Sequence, residues 1–220
     1  MGRRKFERPR GERRYKKMFV ISFEGTVTEP SYFRMLVPPK SPIILHCLKG
    51  SKKSSPGQVL KRMKQYIRYQ NLSSSDEAWL VVDKDDWSDD QLSELYAWKS
   101  SSSQRGLAVS NPKFELWLLL HFEDPRSIFS SRDCSDRLKR YIPHYEKEIQ
   151  KNTFSVSQIN DAIERAKNRD NPPCVDWPRT LGKTTVYRLV NRIFEDIESV
   201  QERASKQPRA PKGPELTGFR

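Results

Sequence analysis

At 220 residues the chain can bury a sizeable core, and its 41 Lys and Arg against 28 Asp and Glu leave a formal net charge of +13. Such a balance points to a polyanionic partner. Nucleic acid is favoured over a membrane surface, because no stretch approaches the roughly 18 consecutive apolar residues of a membrane span. The amino terminus lacks the apolar core of a secretory signal. The three cysteines, Cys47, Cys134 and Cys174, stand far apart without a CxxC pair, so neither a disulfide framework nor a zinc site is indicated and a cytoplasmic protein is expected.

Residues 1–17 carry nine Lys or Arg and two Glu. With almost no apolar content, they read as a flexible basic arm, either a solubilising tail or a set of phosphate contacts in which Arg3, Arg4, Arg13, Arg14, Lys16 and Lys17 are the candidate nucleic-acid-binding residues. Four apolar runs follow: Met18 to Phe23, Ile43 to Leu48, Ala78 to Val82, and Gly106 to Val109. Continuous apolar runs are the mark of parallel strands buried on both faces, whereas half-exposed strands alternate. Helical patterns separate them. A helix is expected near Pro30, another from Pro56 with Leu60, Met63 and Ile67 at helical spacing, and a third after Ser88, where Gln91 three residues on completes a capping box. Alternation of strand and helix implies an α/β fold with a mostly parallel sheet, over residues 18–125.

Beyond Val109, "SNPKFELWLLLHF" predicts a buried helix with Asn111 as cap and Pro112 in its first turn. Amphipathic stretches near 133–150, 157–168 and 184–199 predict a helical C-terminal region over residues 126–200. Residues 201–220, polar and holding three prolines, read as a disordered tail. "GKTT" at 182–185 ends like a Walker A loop, but Trp177 stands where that loop needs glycine and no apolar strand precedes it.

Ligands of an open parallel sheet bind beyond the carboxyl ends of its strands, and there the acids gather. Glu24 follows the first run, and "VVDKDD" puts Asp83, Asp85 and Asp86 at the end of the third. Residues 76–94 hold eight acids and one Lys in a basic protein. Such a knot repels itself unless it binds cations, and carboxylate oxygens are the hard ligands that Mg²⁺ and Mn²⁺ take. In an extended chain residues i and i+2 point the same way, so Asp83 and Asp85 are expected to face one ion or an adjacent pair. Asp89 and Asp90 are read as acids favoured by a helix dipole. Glu29 is either a second metal ligand or a helix N-terminal acid. Glu115, inside an apolar helix, belongs either to the site or to a buried salt bridge. His121 is either functional or a hydrogen-bonded core histidine.

A Glu-Gly after the first strand and a D-x-D after the third are similar to the Toprim catalytic domain of topoisomerases, primases and OLD-type nucleases. "EGTVTEPSYF", "VVDKDD", "SNPKFELWLLLHF" and "TTVYRLV" together resemble the RloB family, also met under the AbiLii name. The resemblance implies a Toprim-like domain whose acid matches Glu24 and whose paired aspartates match Asp83 and Asp85. It also implies an AAA-type ATPase as partner and a role in defence against phage. The function expected is a nuclease dependent on Mg²⁺ or Mn²⁺, with two ions at Glu24, Glu29, Asp83 and Asp85. Lys113 and Glu115 complete the catalytic candidates, with Lys84, Arg179 and Lys183 as further cations. The alternative from another class is a nucleic-acid-binding or regulatory subunit without catalysis, and metal-dependent thermal stabilisation separates the two. A primase-like nucleotidyl transferase would use the same ions but needs a nucleotide pocket that the sequence does not mark.

Overall fold

The computed structural model describes residues 16–50, 54–85, 87–143, 145 and 148–206. Arg3, Arg4, Arg13 and Arg14 of the basic arm, Asp86, and residues 207–220 of the expected tail lie outside the described residues.

The chain alternates as expected: β1 (Met18–Phe23), α1 (Thr28–Leu36), β2 (Ile44–Leu48), α2 (Pro56–Tyr69), β3 (Glu77–Asp83), α3 (Asp89–Ser100) and β4 (Arg105–Asn111). These four strands are parallel, in the order β2-β1-β3-β4. Both faces of the central strands β1, β3 and β4 are covered, which is why they read as mostly apolar runs; β2, at the sheet edge, is half-exposed, contrary to the buried strand its apolar residues predict. On one face Phe19, Ile21, Phe23, Trp79, Val81 and Ala108 meet Tyr32 and Phe33 of α1. Also on that face are residues of α4 (Phe114–Leu119), α6 (Val156–Arg169) and α7 (Val186–Lys206). On the other, Val20, Leu80, Val82, Leu107 and Val109 meet Leu60 and Met63 of α2 and Leu92, Leu95 and Trp98 of α3. The Ser88–Gln91 capping box starts α3, with both reciprocal bonds made.

Three boundaries differ from expectation. Asn111 does not cap a helix but ends β4; its side chain donates to the Pro178 carbonyl, and α4 begins at Phe114 with Lys113 as the extended cap residue. The stretch near 133–150 yields a shorter α5 (Ser131–Tyr141), while α7 runs on to Lys206, past the point where the tail was expected to begin. The C-terminal region is also not purely helical. β5 (Lys183–Thr184) joins the sheet antiparallel to β4, pairing Asn111 with Lys183 and Ser110 with Thr184.

Lys17 closes the amino end of the sheet rather than offering a free cation. Its Nζ donates to Glu77 Oε1 at 2.7 Å and to Asp196 Oδ2 at 2.5 Å, and Arg192 and Trp79 Nε1 add donors to the same Glu77 carboxylate. Lys16 donates to the Ser41 carbonyl. Both lysines lie at the end of β1 opposite Glu24, and for Lys17 the expectation of a phosphate contact is replaced by a buried ion-pair network. Burial alone would raise the pKa of Glu77, but the Arg192, Lys17 and Trp79 donors outweigh it and hold the carboxyl below its ordinary range. Glu77→Ala leaves Lys17 in a half-buried site with one partner fewer. Such breakage costs about 2–4 kcal/mol, discounted for the exposure of Arg192. Urea unfolding of the variant checks this, and an unchanged midpoint would show the network to be neutral.

Candidate functional site

The order β2-β1-β3 makes β1 and β3 neighbours whose connections leave in opposite directions, β1 to β2 and β3 to β4, so their carboxyl ends border the switch point of the sheet. A cleft of about 280 Å³ opens there, lined among others by Glu24, Gly25, Thr28, Glu29, Ser54, Asp83 and Glu115. Glu24 leaves β1 with its backbone N–H still on the Val81 carbonyl, and its carboxylate turns across to β3. Oε2 accepts from the Asp83 N–H at 3.2 Å and Oε1 from Trp87 Nε1 at 2.9 Å. Glu29, in the first turn of α1, folds back so that Oε1 accepts from the Gly25 N–H at 2.9 Å. A Cβ on residue 25 would collide with that carboxylate, so glycine is needed there for close approach. Glu115 enters from the first turn of α4, with Oε1 accepting from Tyr145 Oη at 3.4 Å and Oε2 4.0 Å from Lys113 Nζ.

Four acids, from the ends of two strands and the first turns of two helices, thus share one cleft. Burial, and then the charges of Glu29, Glu24, Glu115 and Asp85, push the Asp83 carboxyl well above its ordinary range. Glu29 is driven up to about 7, chiefly by burial and with Glu115 and Glu24 adding repulsion against the Gly25 hydrogen bond. Glu24 is raised by burial too, with the Asp83 and Trp87 donors opposing. Asp83 lies deep, with part of its surface open to the cleft, and its carboxylate accepts no hydrogen bond among the described residues.

Asp85 is placed differently from the expectation of an extended D-x-D. β3 ends at Asp83, and Asp85 turns with φ +25°, its N–H on the Pro112 carbonyl. Its exposed carboxylate accepts from Ser131 Oγ at 2.7 Å on the rim, near enough for its charge to raise both Asp83 and Glu24. Among the described residues no group of three or more His, Cys, Asp and Glu side chains is arranged to hold a metal ion. The hydrogen bonds give the reason: Glu24 and Glu29 are turned to N–H donors, Asp85 to Ser131, and of the acids only Asp83 is disengaged. The donor set is nevertheless all hard carboxylate oxygen, crowded and repelling, which suits Mg²⁺ or Mn²⁺ once Glu24 and Glu29 release those donors.

Of the candidate cations, Lys113 donates to Ser135 Oγ at 2.6 Å beside Glu115, Lys84 to the Trp87 carbonyl at 2.6 Å with Asp89 at 3.3 Å, and Arg179 pairs with Asp89 and Asp176. Lys183 sits on β5 beside Asn111. His121 is a core residue, its Nε2 at 3.0 Å from Tyr32 Oη and its Nδ1 at 2.9 Å from the Trp117 carbonyl; burial holds its pKa down to about 3, so it stays neutral. Sequence reading passed over Trp87, Tyr145, Ser131 and Arg62. Trp87 was legible as the residue just past the acids, but nothing in the pattern brings Tyr145 or Arg62 to this end of the sheet.

The fold and this cleft define an open α/β protein with an acidic, ligand-sized crevice at its switch point. The chain belongs to the RloB-like protein family, whose model matches residues 19–193. No curated protein and no solved structure was found to match it, and among the described residues no helix is long and apolar enough to cross a membrane.

Proposed function

We propose that this protein is a Mg²⁺- or Mn²⁺-dependent nuclease acting on DNA or RNA. The observation that carries the reading is the crowding of Glu24, Glu29, Asp83 and Glu115 at the switch point of a protein whose net charge is +13. A module that merely binds polyanions gains nothing from a knot of acids in its ligand crevice. In the Toprim reading, Glu24 is the acid after the first strand and Asp83 the first of the paired aspartates, with Asp85 at the rim. Glu24, Asp83 and Glu29 would hold the ions, whose chemistry there would be to polarise a phosphodiester and lower the pKa of a water. Lys113, at the cap of α4, keeps Glu115 oriented and places a positive charge at the cleft edge. The family resemblance supports an AAA-type ATPase partner and a role in phage defence.

The test is incubation of the purified protein with single- and double-stranded DNA, messenger RNA and transfer RNA, in Mg²⁺, Mn²⁺ or EDTA, alone and with a candidate AAA-type ATPase partner. Cleavage in either metal that EDTA abolishes is expected. No cleavage under any of these conditions, together with no metal-dependent thermal stabilisation, would favour the second reading, a nucleic-acid-binding or regulatory subunit without catalysis. The observation on that side is the engagement of Glu24 and Glu29 with N–H donors.

A further inference from the structure

Arg62 borders the acidic cleft through Ser54 and the Phe23 carbonyl, and among the described residues no carboxylate lies within ion-pair distance of it. It projects from the second turn of α2, beside the buried Val59 and Met63. Its Nη2 donates to the carbonyl of Phe23, the residue before Glu24, and Nη1 and Nη2 both lie 3.2 Å from Ser54 Oγ, which lines the cleft with Glu24 and Asp83. A guanidinium carries five N–H bonds. Here Nε is buried with no acceptor, one Nη1 hydrogen is left over, and no ion pair holds Arg62 among the described residues. Taking a guanidinium out of water without a carboxylate is expensive. Burial lowers the pKa of Arg62 while the charge of Glu24 supports it, so the two groups feel each other across the end of β1. Lys84, Lys113 and Arg179, in contrast, each have an acid within ion-pair distance.

We propose that Arg62 is a substrate-binding residue of this site, donating from its Nη groups to a non-bridging oxygen of a phosphodiester that takes the place of Ser54 Oγ. The planar fork of arginine matches a phosphate bidentately, and the Phe23 bond fixes its plane. The assignment rests on the nuclease reading of the cleft. It adds to that reading the side from which the anion is held: α2, on the face of the sheet opposite α1 and α4.

The experiment measures oligonucleotide affinity with Ca²⁺ replacing Mg²⁺ to suppress turnover, using a series in which single linkages are uncharged methylphosphonates. In wild type one linkage near the cut is expected to lose about tenfold in affinity, the size of one charge-assisted contact. Arg62→Gln should bind the unmodified oligonucleotide about tenfold more weakly, with a shallower salt dependence and no further loss at that linkage. It should also keep its Mn²⁺-induced thermal shift. A linkage penalty that persists in full in Arg62→Gln overturns the proposal while leaving the nuclease reading intact. Should Arg62→Gln not fold, Arg62→Lys takes its place; the penalty is then expected to shrink without vanishing, and a penalty equal to wild type overturns the assignment. Failure of wild type to bind any oligonucleotide in any metal removes the nuclease reading and this inference together.

Discussion

Asp83→Asn is expected to abolish metal-dependent cleavage and to stabilise the metal-free protein at the same time. The two effects share one cause. Asp83 sits where the charges of Glu29, Glu24, Glu115 and Asp85 meet, and its carboxyl is pushed well above its ordinary range by burial and by that repulsion. Its carboxylate accepts no hydrogen bond among the described residues, so an isosteric amide breaks nothing and relieves the crowding. Each pKa unit so relieved corresponds to about 1.4 kcal/mol. Loss of activity should exceed the roughly 10–100-fold that follows removal of an outer partner of a metal ligand. Asp85→Asn, at the rim and tied to Ser131, should lose less. Oligonucleotide cleavage in Mn²⁺ and thermal unfolding in EDTA measure both. Retained cleavage in Asp83→Asn, or a metal-free form that melts lower than wild type, would sink the assignment.

The sheet and the adjacency of Glu24 to Asp83 were legible because both depend on strands buried on two faces, and Phe19 to Phe23, interrupted only by Ser22, and Ala78 to Val82 announce such burial by their mostly apolar sequence. What was not legible came from places where the chain leaves regular structure. The D-x-D inference assumes an extended backbone through Asp85. β3 instead ends at Asp83, and the turn at Asp85, with positive φ, sends its carboxylate to Ser131 of the C-terminal region. β5 is two residues long, too short for any periodicity, and exists because Thr184 and Lys183 find partners on β4. Glu115 was ambiguous between site and salt bridge, and both occur: it lines the cleft and faces Lys113 at 4.0 Å. Arg62 was invisible for a different reason. A basic residue on an amphipathic helix reads as solvated surface, and only the packing of α2 across the end of β1 gives it an inward role.

In EDTA, Glu29→Gln is expected to be more stable than wild type by an amount that grows with pH, from nearly nothing at pH 4.5 to about 3 kcal/mol above pH 8. The folded pKa of Glu29, about 7, lies above its ordinary 4.5, so the folded protein keeps a proton that the unfolded chain has lost. The stability this proton confers is complete below about pH 4.5 and is lost as pH rises through 7. Asp83 and Glu24, also raised, act in the same sense. His121 acts in the opposite one: with its pKa held near 3, it weakens the fold as pH falls below about 6.5, which is why wild type must be compared with the variant and not only with itself. Gln at 29 keeps an oxygen to accept from the Gly25 N–H and carries no charge at any pH, while His121 is common to both proteins. Saturating Mn²⁺ should reverse the trend in wild type. Ligands of a divalent ion must be ionised, so its thermal shift is expected to increase from pH 6 to pH 8 as the cost of ionising the cleft is met by binding. Denaturant unfolding at pH 5, 6.5 and 8, with and without Mn²⁺, measures both slopes. A stability difference between the two proteins that does not change with pH would show that Glu29 ionises in the fold as it does in water. A Mn²⁺ shift of the same size at pH 6 and pH 8 would show that the buried carboxylates of this cleft are not what binds the ion.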